Sequence, residues 1–501
     1  MKCNLVAGVV LAVVVAIPVF AAEPASLRLS LADAVRMAVE KNLDLQVELY
    51  NPAQQEAEFR KSTGIYDPNL QMQANYSDST ASSSFMQEPP GRQATRTTVL
   101  NAGLSQLFFT GATASLGFNN SYSRSDVNPG GLTSYWQSSL GVTLTQPLLK
   151  NLGREATELT IDVARLGKEA AFEQFNARLL STIAQARTEY FRLYSLREAL
   201  GVKKISLELA RKILSETQAR VKAGVMPAME ILNAEYGVAL REKELIDAER
   251  AVSDQVDVLR QLIQSDMGRE LETVEPPTKE RHVVVEADEI RRALAQRPEL
   301  KAQQRTLEIA ELQARVSANR TLPDLAMSAS YATTGLASTY GTDMNRLGSN
   351  EYPNWAVGLT FSLPLGNRAA ANEYRKNRLK VAQAQLQLKN QEELIANEIR
   401  AAIRAMNANY KQLEVADRGR AFAEERFKAF VRKAEVGLAT NKDLLDVEND
   451  LVTAKNNQIQ AVVAYANAVT ALWKSSGELL DKAHVRLVGQ READALYGSV
   501  R

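Results

Sequence analysis

The 501 residues contain two histidines, His282 and His484, and one cysteine, Cys3. A structural zinc needs about four His or Cys ligands, and a Cys–His dyad needs a thiol beside an imidazole. Neither chemistry is expected here. Gly167-Lys168 lacks the upstream glycine of a phosphate-cradling loop, and no HExxH pair or nucleophile elbow occurs. No catalytic, cofactor or metal residue is assigned, no cofactor is expected, and the chain does not read as an enzyme. Both histidines read as surface residues. The acids along the chain read as solvated faces or as i,i+4 partners of Lys and Arg.

Two short segments carry more positional information: Lys222-Ala223-Gly224-Val225-Met226-Pro227 and Glu435-Val436-Gly437-Leu438-Ala439-Thr440. Each has a glycine where a helix can end in the left-handed conformation before the next begins. Just beyond the turns stand Glu230, Asp443 and Asp446. The start of a helix welcomes acids there, because its dipole end is positive.

Long helices must present these turns. No proline falls between Leu148 and Met226 or after Pro364. Leu159, Val163, Leu166 and Ala170 step by four, three and four. Ile183, Ala186, Tyr190 and Leu193 form a similar narrow seam, as do Ile395, Ile399, Ala402 and Met406, the pattern of coiled-coil packing. The expected helices Arg154–Lys222 and Arg368–Val436 are equal in length, each roughly 100 Å at 1.5 Å per residue. Leu31–Ser62 with Ala228–Asp266, and Asp288–Asn319 with Asn441–Ser476, each sum to nearly the same length when placed end to end.

Between these helices the pattern changes to period two. Leu70, Met72, Ala74 and Tyr76 alternate with Gln71, Gln73 and Asn75, and Ala114, Leu116 and Phe118 alternate with Ser115, Gly117 and Asn119. Trp136, Leu140, Val142 and Leu144 behave likewise. So do Leu325, Met327, Ala329 and Tyr331, and Trp355, Val357, Leu359, Phe361 and Leu363. Such runs are strands with one apolar face and one uncharged polar face. Ser79 to Arg92, Ser123 to Ser134 and Thr339 to Pro353 read as loops.

An ordered set of matches suggests a duplicated unit. Ala38-Val39-Glu40-Lys41-Asn42-Leu43-Asp44-Leu45 pairs with Ala293-Leu294-Ala295-Gln296-Arg297-Pro298-Glu299-Leu300, and Asp67-Pro68-Asn69-Leu70 with Leu322-Pro323-Asp324-Leu325. Gln146-Pro147-Leu148 pairs with Leu363-Pro364-Leu365, and the Gly224 turn with the Gly437 turn. The expected organisation is a signal peptide over 1–21 and a first repeat over 22–286. The latter comprises a helix, strands at about 68–147, a helical hairpin at about 154–266 and a linker at about 267–286. A second repeat over 287–480 has strands at about 323–364 and a hairpin at about 368–476, and 481–501 is a tail.

The export reading rests on Lys2, the apolar run Leu5–Phe20 and the small residues at Ala21 and Ala22. Cys3 falls in the removed segment, so the mature chain folds without disulfides. A formal net charge of +1 advertises no nucleic-acid partner.

These motifs together resemble the TolC-like outer membrane efflux proteins. The resemblance is carried by Ser30-Leu31-Ala32-Asp33-Ala34-Val35 with Ala38 and Asn42, by Ala293 with Arg297-Pro298-Glu299-Leu300, by Gln146-Pro147-Leu148-Leu149 and by the paired glycine turns. It covers essentially the whole mature chain. What it implies is an α+β membrane protein: a trimeric outer-membrane β-barrel of four strands per copy, twelve in all, continuous with a long periplasmic α-helical coiled-coil barrel. The implied function is the exit channel of a tripartite efflux or type I secretion system. Such a channel passively conducts what an inner-membrane pump of RND, ABC or MFS type delivers through a periplasmic adaptor. The implied partners are two further copies, that adaptor, the pump and outer-membrane lipid. The resemblance assigns Gly224, Val225, Met226, Pro227, Gly437, Leu438, Ala439 and Thr440 to adaptor-docking tips. It assigns Glu230, Asp443 and Asp446 to the periplasmic aperture, where symmetry would make rings of charge that favour cations. An arginine that locks this aperture in some members is Ala439 here.

One departure stands out. The stretch from Pro68 to Pro147 is about twice that from Pro323 to Pro364, and Thr110-Gly111-Ala112 inside it looks like a tight turn. Two long strands with extended loops are the favoured reading. Four strands, giving six per copy and eighteen in a trimer, are the other. A rival function is an exported coiled-coil scaffold without a pore, which would not need the apolar strand faces of the Trp136 and Trp355 runs.

Overall fold

The computed structural model describes residues 27–83, 91–126, 131–265, 270–436 and 438–485, with 495 and 498. The expected signal peptide, Cys3, Gly437 and most of the 481–501 tail lie outside them. In chain order the elements are β1 (Leu27–Leu29), α1 (Leu31–Lys41), α2 (Leu43–Thr63), a 3-10 turn (Gly64–Tyr66), β2 (Asn69–Ser83), β3 (Gly91–Leu107), β4 (Thr113–Ser125), β5 (Ser134–Pro147), α3 (Arg154–Thr157), α4 (Leu159–Lys222), α5 (Met229–Ile263), β6 (Leu271–Thr273), α6 (Glu286–Gln296), α7 (Pro298–Asn319), β7 (Asp324–Ala337), α8 (Tyr340–Gly348), β8 (Pro353–Ser362), α9 (Arg368–Glu435), α10 (Asn441–Ser476) and α11 (Leu479–Lys482). Two compact units share them. One holds Met1–Asn42, Gln185–Arg281 and Ala408–Ala468; the other holds Leu43–Ala184, His282–Asn407 and Val469–Arg501.

The second unit contains one antiparallel sheet of six strands in the order β2-β3-β4-β5-β7-β8. The favoured reading of two long strands before Pro147 is therefore corrected to four. Two features decide it. Within Ser79 to Arg92, Ser79–Ser83 and Gly91–Arg92 are strand rather than loop, because they pair from Ser79↔Thr95 to Ser83↔Gly91. At Thr110-Gly111-Ala112 the chain reverses: Gly111 has φ +87°, and a Cβ there would stand 2.7 Å from the Asn151 carbonyl. Only glycine tolerates both the left-handed backbone and that approach. Thr339 to Pro353 is likewise not all loop, since α8 occupies most of it.

Residues directly opposed in an antiparallel ladder share a face. One row runs Leu70, Leu104, Leu116, Val142, Tyr331, Trp355 through all six strands. The neighbouring row runs Gln71, Gly103, Gly117, Gly141, Ala332, Asn354 on the other face. The faces are thus separated across the whole sheet. Among the described residues of the polar face, the one formal charge is on Asp324; Asp78, Arg92, Arg96 and Arg124 all lie on the apolar face.

Helix α8 packs on that apolar face. The ring of its Tyr340 meets Trp136 edge-on, with centroids 5.0 Å apart, and Trp136 meets Tyr122 at 4.9 Å. Asp343, fully buried, accepts a hydrogen bond from Ser138, whose oxygen in turn accepts from Asn120 at 2.6 Å. Any side chain at Gly335 would collide with Asp343, so glycine makes room for the helix.

Helices α6 and α7 of the same unit carry the Ala293 and Arg297-Pro298-Glu299-Leu300 motif. The expected helix Asp288–Asn319 is broken at Arg297, as the restriction on a residue before proline requires; its ψ is 125°. The Arg297 guanidinium donates to Glu299 and to Glu398 of α9. Beside it Ala293, Leu300, Ile395 and Ile399 form a buried cluster, which uses two positions of the expected Ile395 seam. The expected helix Leu31–Ser62 breaks in the same way at Asn42, with φ −61° and ψ 123°. At the foot of the sheet the Tyr66 hydroxyl donates to Glu158 at 2.9 Å. Burial and that carboxylate push the phenol up to about 12. Glu158 also separates α3 from α4, so the expected helix Arg154–Lys222 begins with one detached turn.

The first unit has a short parallel pair, β1 with β6. Tyr190 of α4, wholly buried, donates from its hydroxyl to the Leu29 carbonyl at 3.1 Å and accepts the Glu275 N–H at 3.0 Å. Ala186, Tyr190 and Leu193 of this unit are each fully buried, as is Ile183 at the end of the second unit's share of α4, as their spacing predicts.

Candidate functional site: the helix turns and the cleft beside them

The first turn ends α4 as a Schellman motif. Gly224, at φ +79°, donates its N–H to the Val221 carbonyl at 2.9 Å, and Val225 donates to the Arg220 carbonyl at 3.1 Å. At the second turn Leu438 donates to the Lys433 carbonyl at 2.8 Å, the same five-residue reach. Gly437 itself lies outside the described residues. Val225 and Leu438 are among the most exposed apolar side chains, at 71% and 78%. Met226 and Ala439 are half-buried, while Pro227 and Thr440 are exposed. Met229, Leu232 and Tyr236 on the first turns of α5 add three more largely exposed apolar side chains, which turn chemistry alone did not flag.

The two helix starts differ. No side chain caps α5 at Ala228. Thr440 caps α10: its hydroxyl accepts the Asp443 N–H at 3.1 Å, and Asp443 accepts the Thr440 N–H at 2.9 Å, a reciprocal capping box. Hydrogen bonds from the Thr440 hydroxyl and N–H hold the Asp443 carboxyl below the usual carboxylate range. Asp443 is thus committed to the cap.

Between α5 and α10 lies a cleft of about 760 Å³, lined among others by Glu230, Tyr236, Arg241, Thr440, Leu445 and Asp446. The structure therefore brings Glu230, Thr440 and Asp446 to one place, while Val225, Leu438 and Asp443 do not line it. The cleft floor is an ion network. Arg241 donates to Glu448 of α10 at 2.8 Å, with side chains only 8% and 5% exposed. Arg241 also reaches Glu244 at 3.2 Å, and Lys203 of α4 reaches Glu244 at 2.9 Å. Burial pushes Glu244 up, but the Lys203 hydrogen bond and the charges of Lys203 and Arg241 outweigh it and hold the carboxyl low. Sequence reading missed this network. Arg241 and Glu244 look like an ordinary surface pair three residues apart, and nothing local announces that Glu448 faces them.

Among the described residues no group of acids, histidines or cysteines could hold a metal ion. No described helix is long and apolar enough to cross a membrane. What the molecule offers is a two-faced sheet, long helices and turns that expose apolar side chains.

A family model, outer membrane efflux protein, matches residues 111–264 and 290–478, more than half of the chain. The chain belongs to the outer membrane efflux protein family. Its β2–β3 hairpin precedes the matched residues. Outer membrane efflux protein BepC of Brucella suis is 22% identical over 329 residues, 64% of this chain and 68% of that protein. The fold is shared with the CmeC outer membrane channel of Campylobacter jejuni, at 17% identity over 90% of this chain and 86% of that one, with a TM-score of 0.65. It is shared too with the MtrE outer membrane channel of Neisseria gonorrhoeae, at 16% identity over 90% and 89%, TM-score 0.61. As an outer membrane efflux protein, the chain is a protein of the outer membrane with a helical periplasmic extension. Members of such a family are channels rather than enzymes, which fits a non-catalytic role.

Proposed function

We propose that this protein is the outer-membrane exit duct of a tripartite efflux or type I secretion system. Three copies would join their strands into one barrel and their helices into one periplasmic tube, each copy being built from a duplicated unit. The duct is passive: an inner-membrane pump of the RND, ABC or MFS type supplies the energy, and a periplasmic adaptor links pump to duct. The observation that carries this reading is the sheet, whose apolar row from Leu70 to Trp355 and polar row from Gln71 to Asn354 lie on opposite faces through all six strands. In lipid a sheet must close so that no backbone group is left unpaired, and outward apolar with inward polar residues suit a water-filled pore.

The adaptor would dock on the turns at Gly224–Pro227 and Gly437–Thr440, where Val225 and Leu438 expose apolar surface. Glu230, Asp443 and Asp446 would stand at the narrow end of the tube, where three-fold symmetry makes each a ring that favours cations. The experiment is electron microscopy of full-length protein extracted from outer membranes. The expected particle is three-fold, with a tube about 100 Å long, as helices such as α4 and α9 dictate. A soluble rod in the periplasmic fraction would overturn the duct.

A further inference from the structure

The two outermost strands are the part of the sheet still without neighbours. Both β2 and β8 are exposed along the described length, on both faces. Leu70, Met72 and Tyr76 on β2 and Trp355, Val357, Leu359 and Phe361 on β8 each leave more than half their surface open. Apolar edges of this kind invite pairing.

The register shows what they fit. The row that starts at Leu70, beside the first residue of β2, ends at Trp355, near the first residue of β8, which runs the opposite way. Over five strand spacings of about 4.8 Å the row climbs roughly 20 Å along the strands, a tilt of about 40°, which is the tilt of a closed barrel. Six strands alternate in direction, so β8 of one copy meets β2 of the next antiparallel, as every other pair in the sheet is. Continuing the tilt sets Leu359 of one copy beside Met72 of the next, and Val357 beside Ala74. On the apolar face, apolar residues then meet apolar residues from Leu70 beside Phe361 to Tyr76 beside Trp355.

The geometry points to a barrel in which each copy contributes six strands, β8 of one copy pairing with β2 of the next. Resting on the three-copy duct proposed above, this makes eighteen strands rather than twelve. The added unit is the β2–β3 hairpin, which has no counterpart before β7. Barrel diameter grows about linearly with strand number, so this pore is about half as wide again as a twelve-stranded one. Its lining is mostly Ser, Thr, Asn, Gln, Gly and Ala with Asp324 as the one charge among the described residues, so the barrel admits bulky polar cargo without sorting it by charge.

Cysteine pairing tests this directly, because the one native cysteine is Cys3. In isolated outer membranes under mild oxidation, the double variant Met72→Cys/Leu359→Cys should give a reducible ladder ending at three chains. Single variants should give none. Ala74→Cys/Val357→Cys is the second pair, should the first fold poorly. If the hairpin is instead displaced and the barrel closes through β4, Leu116→Cys/Leu359→Cys cross-links and the two edge pairs do not. That result overturns the eighteen-stranded barrel while leaving a three-copy duct intact. Absence of every cross-link in a three-fold particle overturns it too. A chain recovered as a soluble monomer would defeat the duct itself.

Discussion

The sheet and the helix turns handle charge in opposite ways. On the polar face of the sheet, six strands bring together Gln71, Gln73, Asn75, Asn101, Asn119, Ser139, Thr334 and Asn354 and one acid, Asp324. Around the cleft between α5 and α10, Glu230, Arg241, Glu244, Lys442 and Asp446 crowd into one place. An uncharged wet surface fixes width and little else. Fixed charge at a constriction can discriminate, because fields focus where the walls are close and poorly polarisable. In the duct proposed above, this contrast would give passage to the strands and selection to the turns.

The hardest way to break that contrast is to remove the ion pair beneath the cleft. Losing one partner of a buried pair costs about 3–5 kcal/mol, because the other charge is left behind. Glu448→Ala should fall at the lower end, about 3 kcal/mol, since Arg241 retains Glu244 at 3.2 Å. Hydrogen exchange should rise along α5 and the start of α10 and leave the sheet unchanged. Arg241→Met combined with Glu448→Leu should recover most of the loss, because a well-packed apolar pair of similar volume often does as well as a buried ion pair. If the double variant is as labile as the single one, the network acts through something other than its charges.

A milder change sharpens the same comparison. Asp446→Asn with Glu230→Gln removes two acids from the cleft lining. In planar bilayers under a potassium chloride gradient, the reversal potential of this variant should move from cation-favouring toward zero. Asp324→Asn, the matching change on the sheet, should leave it nearly where it was. Equal shifts from both would mean that the barrel shares in selection.

The sequence exposed the faces more readily than the connections. Alternation placed Leu70, Leu116, Val142, Tyr331 and Trp355 on one side, and the ladder confirms them as one row. The expected helix Asn441–Ser476 has the bounds that α10 shows. Strand number was harder. Small polar residues from Ser79 to Ser83 satisfy a strand as well as a loop, and only pairing with Gly91 to Thr95 decides between them. The breaks at Asn42 and Arg297 were missed although Pro298 signals the second, because the apolar spacing resumes in phase after it. Helix α8 was hidden for a different reason. Its anchor is a buried carboxylate on Ser138, far away in the chain, and a lone Asp343 in a Ser/Gly/Asn-rich stretch looks solvated. The Arg241–Glu448 pair shares that character: local spacing reports which face a residue occupies, not which distant charge it meets.

The smallest effect belongs to the start of α10, and it separates the two turns by pH. Thr440→Ala should fray the first turn by about 1 kcal/mol, the usual value of a lost N-cap. Glycine already ends α4 at the other turn, and α5 begins without a capping side chain, so no matching substitution exists there. The carboxyl of Asp443 is held low by its hydrogen bonds to Thr440. Its contribution is therefore fully present above the unfolded carboxyl's ordinary value of about 4 and is lost as pH falls through the lower folded value. Acidification should loosen the Leu438–Asp446 segment while the Val225–Tyr236 segment keeps its protection, read as amide exchange corrected for the intrinsic rate at each pH. In Thr440→Ala the loosening should begin at higher pH, because the donors that hold the carboxyl low are weakened. Should both segments loosen together, the acid sensitivity would belong to the shared helix packing rather than to the cap.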